Sequence, residues 1–167
     1  MKNLLIAFLF AAAAFSCTSQ KGSAAAWKDY TITSPCPPNS ECSLKITDGK
    51  SLLVKADDTG HIYYNLEDAP GKIVVIYTYR TITDPKLQDA GYSESVIFET
   101  DGKAFNYADA DMQNTKMLFN VQCFCRGKAG LRKIEQGKAS YNGKNLHLEI
   151  PGLVEGQVTK IVDITKK

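Results

Sequence analysis

The chain lacks most of the features from which an enzyme is recognised. It has only two histidines, His61 and His147, in 167 residues, and neither has a motif-level partner. No metalloprotease helix, nucleophile elbow or dinucleotide fingerprint occurs. Gly49-Lys50-Ser51 imitates the end of a phosphate loop, but position 44 is Leu where that loop needs Gly. Asp109, Asp111 and Asn114 hint at a calcium loop, yet its central glycine and terminal bidentate glutamate are missing, so a polar turn is expected. Glu94 and Glu99 are five apart and face opposite sides of one strand, which keeps them from converging on a glycosidic bond. Neither a cofactor nor a metal is expected.

Charge excess is also missing. Lys and Arg number 20 against 18 Asp and Glu, a formal charge of +2. A nucleic-acid partner would need a concentrated basic face. The densest basic stretch, Arg126, Lys128, Arg132 and Lys133, is interrupted by glycines and reads as a solvated loop. No apolar run is long enough to span a bilayer, which takes about 20 residues. The longest, Leu4 to Phe15, follows Lys2 and precedes the small Ser16. That is the three-part layout of an export signal, expected to be removed as residues 1–16.

Ala14-Phe15-Ser16-Cys17 carries more. This segment resembles the signal end of bacterial lipoprotein precursors, although Phe15 and Ala14 stand where a small residue and Leu are commoner. The resemblance covers residues 1–17 only. It implies that Cys17 becomes the acylated first residue, and three acyl chains would hold the protein on a membrane almost permanently. Residues 17–26, small and polar after the cysteine, read as a flexible tether spanning about 17 Å. Thr18 after the cysteine, with no acid before Asp29, implies by the same resemblance the outer membrane, facing the periplasm. Residues 27–167 then form one domain of ordinary size.

Setting Cys17 aside leaves Cys36, Cys42, Cys123 and Cys125. An even set in an oxidising compartment reads as two disulfides with three connectivities. Cys123 and Cys125 lie two apart on one strand face and can be bridged there only with strain. Cross-links from Cys36 and Cys42 to Cys123 and Cys125 are therefore preferred, closing loops of about 80 to 90 residues and stabilising by about 4 kcal/mol each. The competing layout closes Cys36-Pro37-Pro38-Asn39-Ser40-Glu41-Cys42 and leaves Cys123-Phe124-Cys125 as a pair suited to thiol exchange or a soft metal. Neither thiol of that pair sits at a helix start or in a plainly electropositive cleft.

What the sequence has in abundance is the rhythm of strands. Turn pairs such as Asp48-Gly49, Pro70-Gly71, Asp101-Gly102 and Asn142-Gly143 separate runs rich in Ile, Val, Thr, Tyr and Phe. Lys138 to Ile150 is the clearest hairpin, with Asn142-Gly143 expected to form a type I′ turn and Gly137 a bulge. One short helix is expected near 85–90, started by Pro85 after Asp84 and stopped by Gly91. Arg80 shares a face with Val74 and Ile76, and Glu94 with Val96 and Phe98, so a partly buried Arg80–Glu94 ion pair is expected where their strands meet. Ile73 to Tyr79 is apolar on both faces, which places it mid-sandwich or under a covering element. These patterns predict an all-β antiparallel sandwich of about eight or nine strands, with a lipocalin-like up-and-down barrel as the alternative.

The functional expectation is a non-catalytic, membrane-tethered module that binds or scaffolds envelope proteins or glycans. A small-ligand carrier or hydrolase inhibitor, and an enzyme with an unrecognised site, are the alternatives. A cleft gathering a histidine with two acids would favour the enzyme.

Overall fold

The computed structural model describes residues 29–84, 86–87 and 89–167. The expected signal, Cys17 and the tether lie outside the described residues, as do Pro85 and Gln88. The architecture is an all-β sandwich of two antiparallel five-stranded sheets. The first sheet has the spatial order β1 (Tyr30–Ile32), β10 (Ile161–Lys166), β9 (Asn145–Glu149), β8 (Lys138–Tyr141), β5 (Phe105–Ala108). The second runs β2 (Ser40–Ala56), β3 (Ile62–Thr81), β4 (Tyr92–Thr100), β6 (Leu118–Cys123), β7 (Gly130–Lys133).

Alternation along each strand decides what fills the space between the sheets. Val75, Tyr77 and Tyr79 of β3, Val96 and Phe98 of β4, and Phe119 and Val121 of β6 point inward from the second sheet. They meet Ala139, Tyr141, Leu146, Leu148, Val162 and Ile164 of the first, all buried. Each large apolar side chain removed from water contributes about 1.5 to 3 kcal/mol, so this layer dominates the fold's stability.

The double-sided apolar character of Ile73 to Tyr79 has a covering element as its cause. β2 and β3 bend together, the register passing from Asp48↔Ile73 to Lys50↔Asp68. Gly49 adopts φ +67° and Gly71 φ +82° at the bend. Pro70, which has no N–H to give a ladder, sits in the bulge. Past this bend the hairpin folds back as an arm over the outer face of its own sheet. Leu52 of the arm makes a second small core with Val74, Ile97 and Leu118, flanked by Val54, Ile62, Tyr64, Ile76 and Leu131. Ile62 pairs with Leu131 of β7, so the second sheet curls until its arm meets its own edge.

Three local expectations need correction. The described residues around 85–90 form turns, with the Leu87 amide donating to the Asp84 carbonyl at 2.9 Å and the Lys86 amide to the Asp84 carboxylate. So short a segment gains too few hydrogen bonds to propagate a helix. A 3-10 helix forms instead at Asp109–Asn114, anchored by fully buried Met112. The Asn142-Gly143 connection is wider than a type I′ turn: Tyr141 pairs with Leu146, and only Gly143 has positive φ. The Asn142 side chain accepts from the Lys144 and Asn145 amides, replacing the backbone geometry of the tighter turn. Gly137 makes no bulge. It precedes β8 with φ +108°, and a Cβ there would lie 2.3 Å from the Glu149 carbonyl oxygen, so only glycine fits.

Candidate functional site

Glu94 and Arg80 do not meet. In the β3–β4 register Tyr79 faces Glu94, and Arg80 faces Ser93, which puts the two charges on opposite sides of the sheet. Arg80 instead pairs with Glu41 of β2 at 2.8 Å, both side chains more than half exposed. Glu94 is fully buried in the main core. Its carboxylate accepts from the Tyr92 hydroxyl at 2.6 Å, the Val158 amide at 2.8 Å and the Thr159 amide at 2.5 Å. Burial and the bond to Glu94 push the Tyr92 hydroxyl well above its ordinary range. Glu94 thus fastens the 151–160 segment to the sheet, and Gln157 organises that segment from within, accepting from the Leu153 amide and donating to the Pro151 and Thr159 carbonyls.

The cysteines pair within their own segments, Cys36 with Cys42 and Cys123 with Cys125, and not across as expected. Strand order explains it. Cys42 faces Tyr79, Tyr79 faces Glu94, and Glu94 faces Val121, two residues before Cys123. Three inter-strand steps of about 4.8 Å make about 14 Å, beyond the roughly 7 Å that a disulfide spans. At the Cys123–Cys125 link β6 ends at Cys123 and the chain bends at Phe124. The two Cα atoms are 5.2 Å apart, closer than in an extended strand.

Both staples sit at one end of the second sheet, where β2 begins, β3 ends, β4 begins and β6 ends. Ile82 at the end of β3 donates its amide to the Asn39 carbonyl inside the Cys36–Cys42 loop, at 2.9 Å. Thr81 Oγ1 takes the Tyr92 amide, closing the root of the 82–91 loop. Arg132 holds the turn after Cys125, donating to the carbonyls of Gly127, Lys128 and Gly130 at 2.8 to 3.2 Å. On this braced end stand three large apolar side chains in water. Phe124 is 89% exposed, Ile82 60% and Leu87 59%. Phe124 also walls a groove of about 350 Å³ shared with Arg80, Asp89, Ser93 and Gln122.

The sequence marks the thiols by residue type and Phe124 only by position. The signal was there: in β6, Leu118, Asn120, Gln122 and Phe124 alternate with the core residues Phe119 and Val121. A phenylalanine on the outer face beyond a strand end has nothing to pack against.

The histidines occupy open surface. His61 lies beside Asp57 and Thr59 at the tip of the arm, its side chain 84% exposed. His147 stands on the outer face of the first sheet between two acids, with Nδ1 2.6 Å from Asp163 and Nε2 3.3 Å from Glu149. The hydrogen bond to Asp163 raises its pKa, opposed by partial burial and reinforced by Glu149. Ser140 is its cross-strand neighbour, but Nε2 is directed to Glu149. Beside it lies an open hollow of about 650 Å³ lined by His147 together with Phe105, Ser140, Tyr141 and Asn145, while Glu149 and Asp163 meet the imidazole outside that lining. Among the described residues no cluster of His, Cys, Asp and Glu could hold a metal ion. Asp109 and Asp111 lie in the 3-10 helix, and Lys50 of the imitation phosphate loop pairs with Asp68.

Comparison of the chain with protein-family profiles, with curated proteins and with solved structures finds no match.

Proposed function

We propose that this chain is a lipid-tethered protein of the bacterial envelope that binds a folded envelope protein through its disulfide-braced end. Cys17 would carry the anchor and residues 17–26 the tether, with the domain facing the periplasm from the outer membrane. One observation carries the binding reading: Phe124 stands almost wholly in water on a three-residue loop closed by Cys123–Cys125. Ile82 and Leu87 are exposed at the same end; apolar side chains gathered on one surface mark interaction sites, and rigidity lowers the entropy lost when they are covered. Aromatic and arginine side chains dominate interface energetics, and Arg126 follows two residues on. Arg126 fits a partner whose apolar pocket is bordered by an acid, while Lys128 is already paired with Glu155 at 3.7 Å. A carrier of small apolar ligands is less favoured, because the side chains of the two sheets fill the space between them.

The test is photo-crosslinking in cells from a benzoyl-phenylalanine placed at position 124. The expected result is one discrete protein adduct, absent when the probe is moved to Tyr63 on the arm. A probe at 124 that captures nothing, or the same set of proteins as the Tyr63 probe, overturns the reading. Phe124→Ser should abolish capture of that protein by the purified domain and change folding stability by no more than about 0.5 kcal/mol.

A further inference from the structure

At the end of β4 opposite to Phe124, the chain leaves the second sheet, forms β5 in the first and returns to the second through the 3-10 helix. This excursion encloses an open cleft of about 440 Å³, within the size range of small-ligand sites. Its floor is apolar, made by buried Phe98 and Met117. One wall is aromatic: the rings of Phe105 and Tyr107 stack with centroids 5.1 Å apart and planes 15° from parallel. Tyr107 keeps 39% of its surface in water.

The rim is charged but balanced. Lys72, Lys103 and Lys116 stand among Glu99, Asp101 and Asp111. Lys116 lies 3.0 Å and Lys72 3.8 Å from Glu99, and Lys103 lies 3.1 Å from Asp101. An anion would find these lysines already engaged, and a cation would find Glu99 and Asp101 engaged. A hydroxyl suits such a rim better, since it donates to a carboxylate and accepts from an ammonium in the same place. The Tyr107 hydroxyl and the side chains of Asp111 and Asn114 have no hydrogen-bond partner among the described residues, which leaves further donors and acceptors for a polyol. The frame is held by the Asp101 carboxylate accepting from the Lys103 amide, by Thr100 Oγ1 accepting from the Gly102 amide, and by Thr115 Oγ1 donating to the Met112 carbonyl.

We propose that this cleft binds a neutral sugar unit of an envelope glycan, its C–H face against Tyr107 and its hydroxyls on the balanced rim. Ring and pyranose are matched in shape, and the negative face of the aromatic attracts polarised C–H groups. The site is separate from the Phe124 end and stands whether or not a protein binds there.

The experiment is a heteronuclear NMR titration of the folded domain with cellotriose, with tri-N-acetylchitotriose and, separately, with inorganic phosphate. One or both trisaccharides should give saturable shifts confined to residues 98–117 and Lys72, with a Kd between about 0.1 and 5 mM. Tyr107→Ala should weaken the binding at least tenfold. Asn114→Ala, an exposed change that spares the aromatic wall, should weaken it about threefold and keep the native spectrum. Phe124→Ser should leave it unchanged, which separates this site from the protein-binding reading. The proposal is overturned if neither sugar gives saturable shifts up to 20 mM, if the shifts survive both cleft substitutions, or if phosphate saturates the cleft and the sugars do not.

Discussion

Glu94 and Glu99 stand on the same strand, face opposite sides of the sheet and hold different pieces of chain in different ways. Glu94, fully buried between the sheets, is met by neutral donors: a tyrosine hydroxyl and two backbone amides of the 151–160 segment. Glu99 keeps 13% of its side chain in water and combines neutral donors with cations. It accepts from Ser51 at 2.6 Å, the Leu52 amide at 2.9 Å and Lys116 at 3.0 Å. One carboxylate closes the main core and the other latches the arm. The difference shows how solvent access sets the chemistry of a clamp. Where water is excluded, fixed dipoles from the backbone do the holding. At the margin, mobile lysines share it, and the clamp becomes sensitive to pH and salt.

Removing the interior clamp should have the largest effect. Glu94→Ala leaves two backbone amides and the Tyr92 hydroxyl without their acceptor, and each orphaned buried donor costs about 1 to 3 kcal/mol. A loss of at least about 3 kcal/mol in urea denaturation is expected. Glu94→Gln keeps the shape but turns an NH2 toward an N–H donor, and should cost about 2 kcal/mol. A loss below about 1 kcal/mol for Glu94→Ala would mean that the 151–160 segment is held by its own Gln157 network, ending the contrast with Glu99.

Glu99→Gln should cost less, about 1 kcal/mol, and locally. Amide exchange should rise across residues 50–56 and 62–68 and stay unchanged at Val158 and Thr159. Equal acceleration in both places would show the two clamps to be one cooperative unit. The latch also has a pH signature. Burial pushes the Glu99 carboxyl up, but Ser51, the Leu52 amide and Lys116 outweigh it and hold it below the ordinary glutamate range. A lowered folded pKa means that its stabilisation is complete above the unfolded pKa of about 4.3 and disappears as pH falls through the lower folded value. Exchange in the arm should therefore rise only below about pH 4, and Glu99→Gln should abolish that rise.

The same strand shows what a sequence can tell. Period-two alternation placed Glu94 on the face of Val96 and Phe98, and that placement holds. Its partner was misassigned because alternation within β4 says nothing of the register with β3, and a one-residue offset sends Arg80 to the other side. The sandwich was legible because strands, turns and double-sided burial all agree. The arm was half legible. A covering element was implied by Ile73 to Tyr79, but Asp48-Gly49 and Pro70-Gly71 read as strand ends when they are paired bends in two continuous strands. Short β1 and β5 carry too little pattern to register. The disulfide pairing depended on strand order, which local sequence does not encode. Phe124 was visible as an outward residue, but its exposure depends on the bend that the adjacent disulfide closes.

A third cluster extends the comparison to open surface, and its effect should be the smallest. His147, Asp163, Glu149 and Lys138 form a chain of contacts across β10, β9 and β8, each side chain between 39% and 59% exposed. The hydrogen bond that the imidazole donates to Asp163 raises its pKa, so the sign is opposite to that of Glu99. A raised folded pKa gives stabilisation that is full below about pH 6.5 and is lost as pH climbs through the folded value. Solvent screening limits it to a few tenths of a kcal/mol. An NMR titration of the imidazole should report a pKa above 6.5, and Asp163→Asn should bring it most of the way back. The stability difference between the two proteins should be largest near pH 5.5 and shrink above pH 8. If Asp163→Asn leaves the imidazole titration where it was, the 2.6 Å contact does not persist in solution. The contacts of the first sheet's open face would then add nothing, unlike the two carboxylates on β4 where water is partly or wholly excluded.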